Sequence, residues 1–227
     1  MREAGFMKKL NKVILGICTS LLLLSGCSMA SANVEFDTTD AAKEALNIAT
    51  EVKWRCDLEN IDPSGNFYAD GKVAAYMKNS GFLDQTWTFS ISDDEWFHMK
   101  LVTDQEINDI PKAASTFEFL DKDDNCLGYA QQRVITPKNK EEAYYMVFLD
   151  ADGNEKDYYA SEECERFYDQ DGEVIATSSG DIDWTGWQSS IYVSMEEGAS
   201  QMIDFQDKFI GMFYVHDDLY DYYRDNK

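Results

Sequence analysis

The chain has 227 residues and a formal net charge of −23, with 43 acidic side chains against 20 basic ones. That charge argues firmly against nucleic acid as a partner, because affinity for phosphates comes from Lys and Arg, and it opposes docking on an anionic membrane surface. Apolar residues make up 44% of the sequence and aromatic residues 14%, so the acidity belongs to the surface of a folded protein and not to a disordered chain.

The first 26 residues have the pattern of a secretory signal. Lys8, Lys9 and Lys12 surround the start of an apolar run that ends at residue 24, and this run falls short of the roughly 20 apolar residues that span a bilayer. It ends in Leu24-Ser25-Gly26-Cys27, which resembles the lipobox of bacterial lipoproteins. The resemblance implies cleavage before Cys27 and acylation of its sulfur. It places the protein, lipid-anchored, on the outer side of a bacterial membrane or elsewhere in the cell envelope.

Cleavage at this point defines the expected domain organisation. It removes four basic residues and one acidic residue, so the mature chain carries a net charge of −26. Such a domain is repelled by anionic lipids, which leaves the lipid on Cys27 as its single attachment to the membrane. We expect a signal peptide over 1–26, a lipidated Cys and flexible tether over 27–39, and one acidic, β-rich domain over 40–227.

A short helix and a first strand follow the tether. Asp40 is predicted to cap a helix, whose apolar positions follow helical spacing at Ala42, Ala45, Leu46 and Ala49. From residue 51 the period changes to two, and apolar side chains alternate with charged ones at Val52, Trp54, Cys56 and Leu58. This alternation is typical of a strand with one face in water.

Strand-like alternation continues to residue 195, and a helical pattern closes the sequence. The clearest hairpin pairs the apolar face of residues 87–91 with that of residues 97–101. Residues 200–224 carry an aromatic stripe at steps of three and four, which favours a helix. The piece 208–215 is also compatible with a strand, since both its faces are apolar and Gly211 disfavours a helix. The predicted fold is α+β: an antiparallel meander sheet of about eight to ten strands, with a short N-terminal helix and a C-terminal helix.

Three cysteines remain in the predicted mature domain, Cys56, Cys126 and Cys164. In an oxidising compartment they allow one disulfide and one free thiol, with three pairings, and the sequence does not distinguish these. Three unpaired buried thiols are equally compatible with the sequence. The sequence contains no C-x-x-C pair, so a zinc site built on thiolates is not expected.

A short segment with two Asp residues occurs three times and suggests calcium. The oxygen-bearing side chains stand at Asp121, Asp123 and Asn125, at Asp150 and Asp152, and at Asp169 and Asp171. Closely spaced carboxylates suit Ca²⁺, which makes these residues the candidate metal ligands and calcium the one candidate cofactor. However, no copy has the Gly and Glu spacing of an EF-hand loop. Asp-rich hairpin turns explain all three copies without a metal, and we favour that interpretation.

Two tryptophans form the candidate ligand-binding site. Trp184 and Trp187 flank a Gly-containing loop, and Asp181 and Asp183 precede them. Aromatic rings of this kind can stack on sugars while the carboxylates accept hydroxyl protons. The alternative is that both rings fill the end of the core, because tryptophan is usually largely buried, and the sequence favours this alternative.

Motifs of the common catalytic classes are absent from the sequence. His98, expected at the surface, and His216, expected in the core, lie far apart and outside any H-E-x-x-H, and there is no G-x-S-x-G. In a chain this acidic, a pair of carboxylates at glycosidase separation carries no information. The leading hypothesis is a non-enzymatic surface lipoprotein that acts as a binding or accessory module for a glycan, a hydrophobic ligand or a protein. The alternatives are a carbohydrate-binding module that uses Trp184 and Trp187, and a carboxylate-pair glycan hydrolase.

Overall fold

The computed structural model describes residues 33–58, 63–79, 86–102, 116–199 and 202–226. The predicted signal peptide and Cys27 lie outside these ranges, so the lipobox stays a prediction. In the ranges that are described, no helix is both long and apolar enough to cross a membrane.

Two helices and twelve strands make up the described fold. The helices are Thr39–Ile48 (α1) and Phe205–Asn226 (α2). The strands are Glu51–Asp57 (β1), Gly65–Ala69 (β2), Lys72–Asn79 (β3), Thr86–Ile91 (β4), Asp94–Val102 (β5), Thr116–Asp121 (β6), Cys126–Ile135 (β7), Ala143–Leu149 (β8), Glu155–Ser161 (β9), Arg166–Asp169 (β10), Val174–Asp183 (β11) and Gln188–Met195 (β12).

The sheet closes into a barrel. Each strand pairs antiparallel with the next one along the chain, and β1 pairs with β12, where Val52 lies opposite Val193 and Trp54 opposite Ile191. The predicted α+β fold with an open meander sheet is therefore wrong: the chain is a closed, mostly β barrel of twelve antiparallel strands. The physical reason is the seam between the first and last strands, which removes both sheet edges and which alternation within a strand does not encode.

Helix α2 runs through the inside of the barrel. Phe209 packs edge-on against Trp54 of β1 and Phe89 of β4, with ring centroids 5.5 Å and 4.7 Å apart. Gly211 lies against Phe167 of β10. Because these strands belong to different parts of a closed sheet, a helix that contacts all of them lies in the lumen. The predicted C-terminal helix is confirmed, and it is continuous through residues 208–215.

The glycine at position 211 permits this close approach. A Cβ atom at Gly211 would overlap Ser178 Oγ and lie 3.0 Å from Phe167 Cε2. Glycine in a helix interior costs about 1 kcal/mol relative to alanine. At this position its missing side chain allows the helix backbone to pack closely against β10 and β11.

A buried lysine joins α2 to the end of α1. Lys208 is 1% exposed, and its Nζ donates to the carbonyl oxygens of Asn47 at 2.7 Å and Leu46 at 3.1 Å. The last carbonyls of a helix lack partners within the helix, so a cation at this position is favourable. At its other end, α1 is capped by Thr38, whose Oγ1 accepts from the backbone N–H of Ala41. The predicted cap, Asp40, lies instead in the first turn.

Because neighbouring strands are antiparallel, successive turns lie at alternate ends of the barrel. Connections after even-numbered strands lie at one end, together with α1 and the start of α2; we call it the base end. The β11–β12 turn lies at the opposite end, together with the last turns of α2; we call it the top end. The Asp-rich segments therefore lie at the base end and the two tryptophans of the β11–β12 turn at the top end.

Candidate functional site

The three Asp-rich segments form the same hairpin turn. In each copy the first Asp accepts backbone N–H bonds, at 2.8–2.9 Å, from the residues two and four positions later: Asp121 from Asp123 and Asn125, Asp150 from Asp152 and Asn154, and Asp169 from Asp171 and Glu173. The residue three positions after the first Asp has a positive φ, at Asp124, Gly153 and Gly172. All three copies are therefore hairpin turns between paired strands, as the Asp-rich pattern predicts.

These turns use the oxygens that a metal would need. The side-chain amides of Asn125 and Asn154 are the largest influence that lowers the pKa of Asp121 and Asp150 respectively. In both turns, N–H donors already occupy acceptor positions of the first carboxylate. Over the described ranges, no group of three or more His, Cys, Asp or Glu side chains is placed to hold a metal ion, and the calcium alternative gains no support.

The three cysteines of the domain are unpaired. Cys56 and Cys164 are buried and Cys126 is half-buried. Burial raises the pKa of the Cys56 thiol to about 12 and raises that of Cys164 further. Thiols in such surroundings are poor nucleophiles at neutral pH, so both buried cysteines act as small core residues.

Both histidines are buried on separate elements. His98 on β5 is not at the surface as the sequence pattern suggests, because its Nδ1 lies 3.0 Å from Glu95 and its Nε2 lies 3.3 Å from Asp124. His216 on α2 packs on Trp54, with ring centroids 5.2 Å apart, and burial lowers its pKa to about 4. A neutral histidine enclosed by apolar groups is the core residue that its position on the aromatic stripe predicts.

The top end carries an exposed aromatic surface around the β11–β12 turn. Trp184 and Trp187 are 41% and 36% exposed, and Tyr222 near the end of α2 is 57% exposed. Tyr223 is buried against both tryptophans, with ring centroids 6.0 Å from Trp184 and 5.6 Å from Trp187. We call these four residues the top-end aromatic cluster.

Asp183 orders the turn that carries the tryptophans. Its Oδ1 accepts from the hydroxyl of Thr185 at 2.6 Å and from the backbone N–H of the same residue at 2.9 Å, and these bonds lower the pKa of Asp183. Trp187 has a φ of 51°, and its carbonyl accepts the N–H of Leu58 at 3.0 Å. The two indole rings are thereby held nearly perpendicular, at 84°, with centroids 6.2 Å apart.

The structure brings together part of the candidate ligand-binding set. Asp183 shares the turn with both tryptophans, whereas Asp181 lies on β11 opposite Ser190 and is exposed on the outside of the barrel. The tryptophans pack on Tyr223 and remain partly open to solvent. The aromatic stripe predicted over residues 200–224 includes Tyr223. The contribution of Tyr222 was not predicted, because the sequence does not show that α2 ends beside this turn.

The helix turns that carry Tyr222 and Tyr223 are rich in acidic residues. The last turns of α2 carry Asp217, Asp218, Asp221 and Asp225. Burial first, and then repulsion from neighbouring carboxylates, raises the pKa of Asp217 and Asp218. Arg224 is engaged by Asp221 at 2.9 Å and Asp225 at 3.6 Å. The C-terminus of α2 adds the negative end of a helix dipole.

Two surface grooves lie elsewhere on the barrel. A groove of about 460 Å³ at the base end is lined by Ile48, Met195, Met202 and the acids Glu196 and Glu197, among others. A second groove, of about 290 Å³, is lined by residues that include Val147, Lys156, Tyr158 and Tyr159. Small-molecule sites usually measure about 300–1,000 Å³, so size alone does not exclude either groove.

The polar groups behind the second groove serve the fold. Lys156 is paired with Asp204 at 2.7 Å and with the buried Asp207 at 2.6 Å, and the hydroxyl of Tyr158 donates to Asp207 at 2.6 Å. Burial raises the pKa of Asp207 to about 6 in spite of these partners. The cluster ties the first turn of α2 to β9 through one ammonium group held by two carboxylates.

Comparison with known proteins gives no indication of the function, which must be inferred from the residues of the chain. No protein-family model matches the chain, and no curated protein and no solved structure is similar enough to count as a match. The top-end aromatic cluster is the feature that combines exposed rings, rigid support and unbalanced charge.

Proposed function

We propose that this chain is a lipid-anchored, non-enzymatic binding module displayed outside the cytoplasm, and that it binds glycans through the top-end aromatic cluster. The observation that carries this proposal is the exposure of its rings. Among the described residues four large aromatic side chains are exposed, Tyr144, Trp184, Trp187 and Tyr222, and three of them belong to this cluster. Exposed apolar groups gathered at one place indicate an interaction site.

Sugars suit this surface because they present apolar C–H faces and hydroxyl groups. The faces can stack on the indole rings, and the hydroxyls can donate to the carboxylate of Asp183, which its hydrogen bonds with Thr185 favour in the ionised form. The rings are ordered before binding by Tyr223 and by the Asp183 turn. Preorganised contacts of this kind lose little entropy when a ligand binds.

The position of the cluster also supports display on a membrane. The chain enters the described domain at the base end, where the N–H of Glu35 donates to the carbonyl of Val73 at 2.8 Å. The 22 residues of α2 separate the base end from the top end by about 33 Å. Attachment through Cys27, upstream of this entry, therefore presents the aromatic cluster away from the point of attachment.

Tryptophan fluorescence tests the binding proposal. We expect cell-wall or plant glycans to change the emission of the domain saturably, and Trp184→Ala or Trp187→Ala to weaken binding at least about tenfold without lowering the melting temperature appreciably. Tyr144→Ala removes an exposed aromatic side chain on β8, outside the top-end aromatic cluster, and serves as the matched control, with unchanged affinity. No response to any glycan of the panel, or equal affinity of the Trp184 variant, contradicts the proposal; turnover of a bound glycan supports the hydrolase alternative instead.

The anchor is tested separately. Cys27→Ser removes the acylated sulfur, so the variant is expected in the soluble fraction as a folded domain, whereas the wild-type protein sediments with membranes. A variant that stays with membranes would refute attachment through this lipid alone.

A further inference from the structure

The charge at the top end narrows the chemical class of the ligand. β11 and the last turns of α2 contribute six aspartates to this end: Asp181, Asp183, Asp217, Asp218, Asp221 and Asp225. Two arginines offset part of this charge: Arg224 is paired with Asp221, and Arg55 lies near enough to Asp183 to contribute to its lowered pKa. The remaining field attracts a cation, repels an anion and does nothing for a neutral ligand.

The rings point to the same class. Tryptophan is the best aromatic partner of a cation, since an ammonium group over its face is attracted by the ring quadrupole. Trp184 and Trp187 each present more than a third of their surface to solvent. Aromatic faces and carboxylates at one place therefore suit a ligand that combines an apolar face with a positive charge.

The angles between the rings limit how much of a polymer can be contacted. Trp184 is inclined by 84° to Trp187 and by 65° to Tyr222. Rings at such angles do not form the flat platform that the side of an extended polysaccharide would need. They suit a single sugar residue that touches more than one ring.

We propose that the ligand of the top-end aromatic cluster is an amino sugar with a free ammonium group, bound as a single residue with its face on a tryptophan and its ammonium towards the aspartates. This inference rests on the proposed glycan-binding function and names its ligand class.

A matched pair of oligosaccharides tests the inference. Fully deacetylated and fully N-acetylated chito-oligosaccharides of equal length have the same backbone and differ in the amine. Titrated at about pH 6, where the free amine is protonated, the deacetylated form is expected to bind about tenfold more tightly. The difference should shrink at high salt, which screens exposed charges.

Variants assign the preference to the top end. The double variant Asp181→Asn/Asp218→Asn is expected to reduce the preference for the deacetylated form, whereas Asp123→Asn, an exposed acid at the base end, leaves it unchanged. Equal affinity for the two oligosaccharides, or tighter binding of the N-acetylated one, overturns the inference and leaves glycan binding intact. Binding of neither form, together with no response to other glycans, refutes the proposed function itself.

Discussion

Replacement of Lys208 by methionine tests how the central helix is joined to the rest of the fold. The buried ammonium donates to the carbonyls of Asn47 at 2.7 Å and Leu46 at 3.1 Å, and lies 3.5 Å from that of Ala49. Methionine keeps a long apolar stem in the same space but has no donor. We expect Lys208→Met to lower the free energy of unfolding at pH 7 by up to about 3 kcal/mol, on the basis of two opposing contributions.

The first contribution is the loss of hydrogen bonds. Two bonds from a charged donor stabilise by roughly 1.5–3 kcal/mol each, which gives about 3–6 kcal/mol. The second is relief from burying a charge: burial lowers the pKa of Lys208 from 10.5 to about 8, which corresponds to about 3 kcal/mol. The difference between them favours the wild-type protein.

The pH dependence distinguishes this explanation from simple loss of packing. Because the folded pKa of Lys208 lies below the unfolded one, the unfolded state binds more protons between about pH 8 and 10.5, and the wild-type protein gains stability as the pH rises through that window. The methionine variant lacks this gain, so its deficit should grow by up to about 3 kcal/mol. Urea unfolding of both proteins at pH 7 and pH 10 measures it. A deficit equal at both pH values, or a variant more stable at pH 7, would refute the reasoning.

Three further changes probe other parts of the fold. Gly211→Ala should destabilise by about 1–3 kcal/mol in urea unfolding, because the overlap with Ser178 outweighs the better helix propensity of alanine; adding Ser178→Ala should recover part of the loss. Burial raises the pKa of Asp207 to about 6, so the folded state holds a proton that the unfolded state loses, and stability should fall as the pH rises from about 4 to 6; Asp207→Asn should flatten this slope in thermal melts. Asp150→Ala removes the acceptor of two N–H groups at the β8–β9 turn, and amide exchange there should accelerate.

Each of these has an outcome that contradicts it. An unchanged urea midpoint for Gly211→Ala would mean that the helix does not touch β11 as closely as described. The same pH slope with and without the Asp207 carboxylate would assign the titration to another group. Unchanged exchange at residues 152 and 154 in the Asp150 variant would show that the backbone alone holds the turn.

Local structure was the most predictable part of this fold. The alternation of Val52, Trp54 and Cys56 with charged residues predicts β1, and these three side chains are buried. The Asp-rich turns were predictable for the same reason, since the required conformations depend on residues a few positions apart. Patterns of this kind depend only on residues close together in the chain, so they can be recognised from the sequence alone.

Barrel closure was not predictable, because it depends on pairing between the first and last strands. Nothing in the sequence around Val52 or Val193 predicts that these two residues lie opposite each other in the paired strands β1 and β12. The position of α2 inside the barrel was also not predictable from the sequence. A helix surrounded by protein should be apolar all round, yet Asp207 and Lys208 stand in its first turns and are buried with partners from β9 and α1.

The candidate site was predictable only in its sequence-local half. Trp184, Trp187 and Asp183 share one turn and could be grouped by inspection. Tyr222 and Tyr223 join them from a helix that follows some 35 residues later, and only the passage of α2 through the barrel brings them there. The negative field at the top end was also not predictable, because it depends on where α2 ends in the structure.

The position of the lumenal helix in the chain also limits how early the fold can be completed during synthesis. Helix α2 follows all twelve strands in the chain, so the wall of the barrel is made before its centre. Until residues 205–226 are available, the inward faces of Trp54, Phe67 and Phe89 have no helix to cover them. A prematurely terminated product would therefore expose these aromatic side chains to solvent and to proteases.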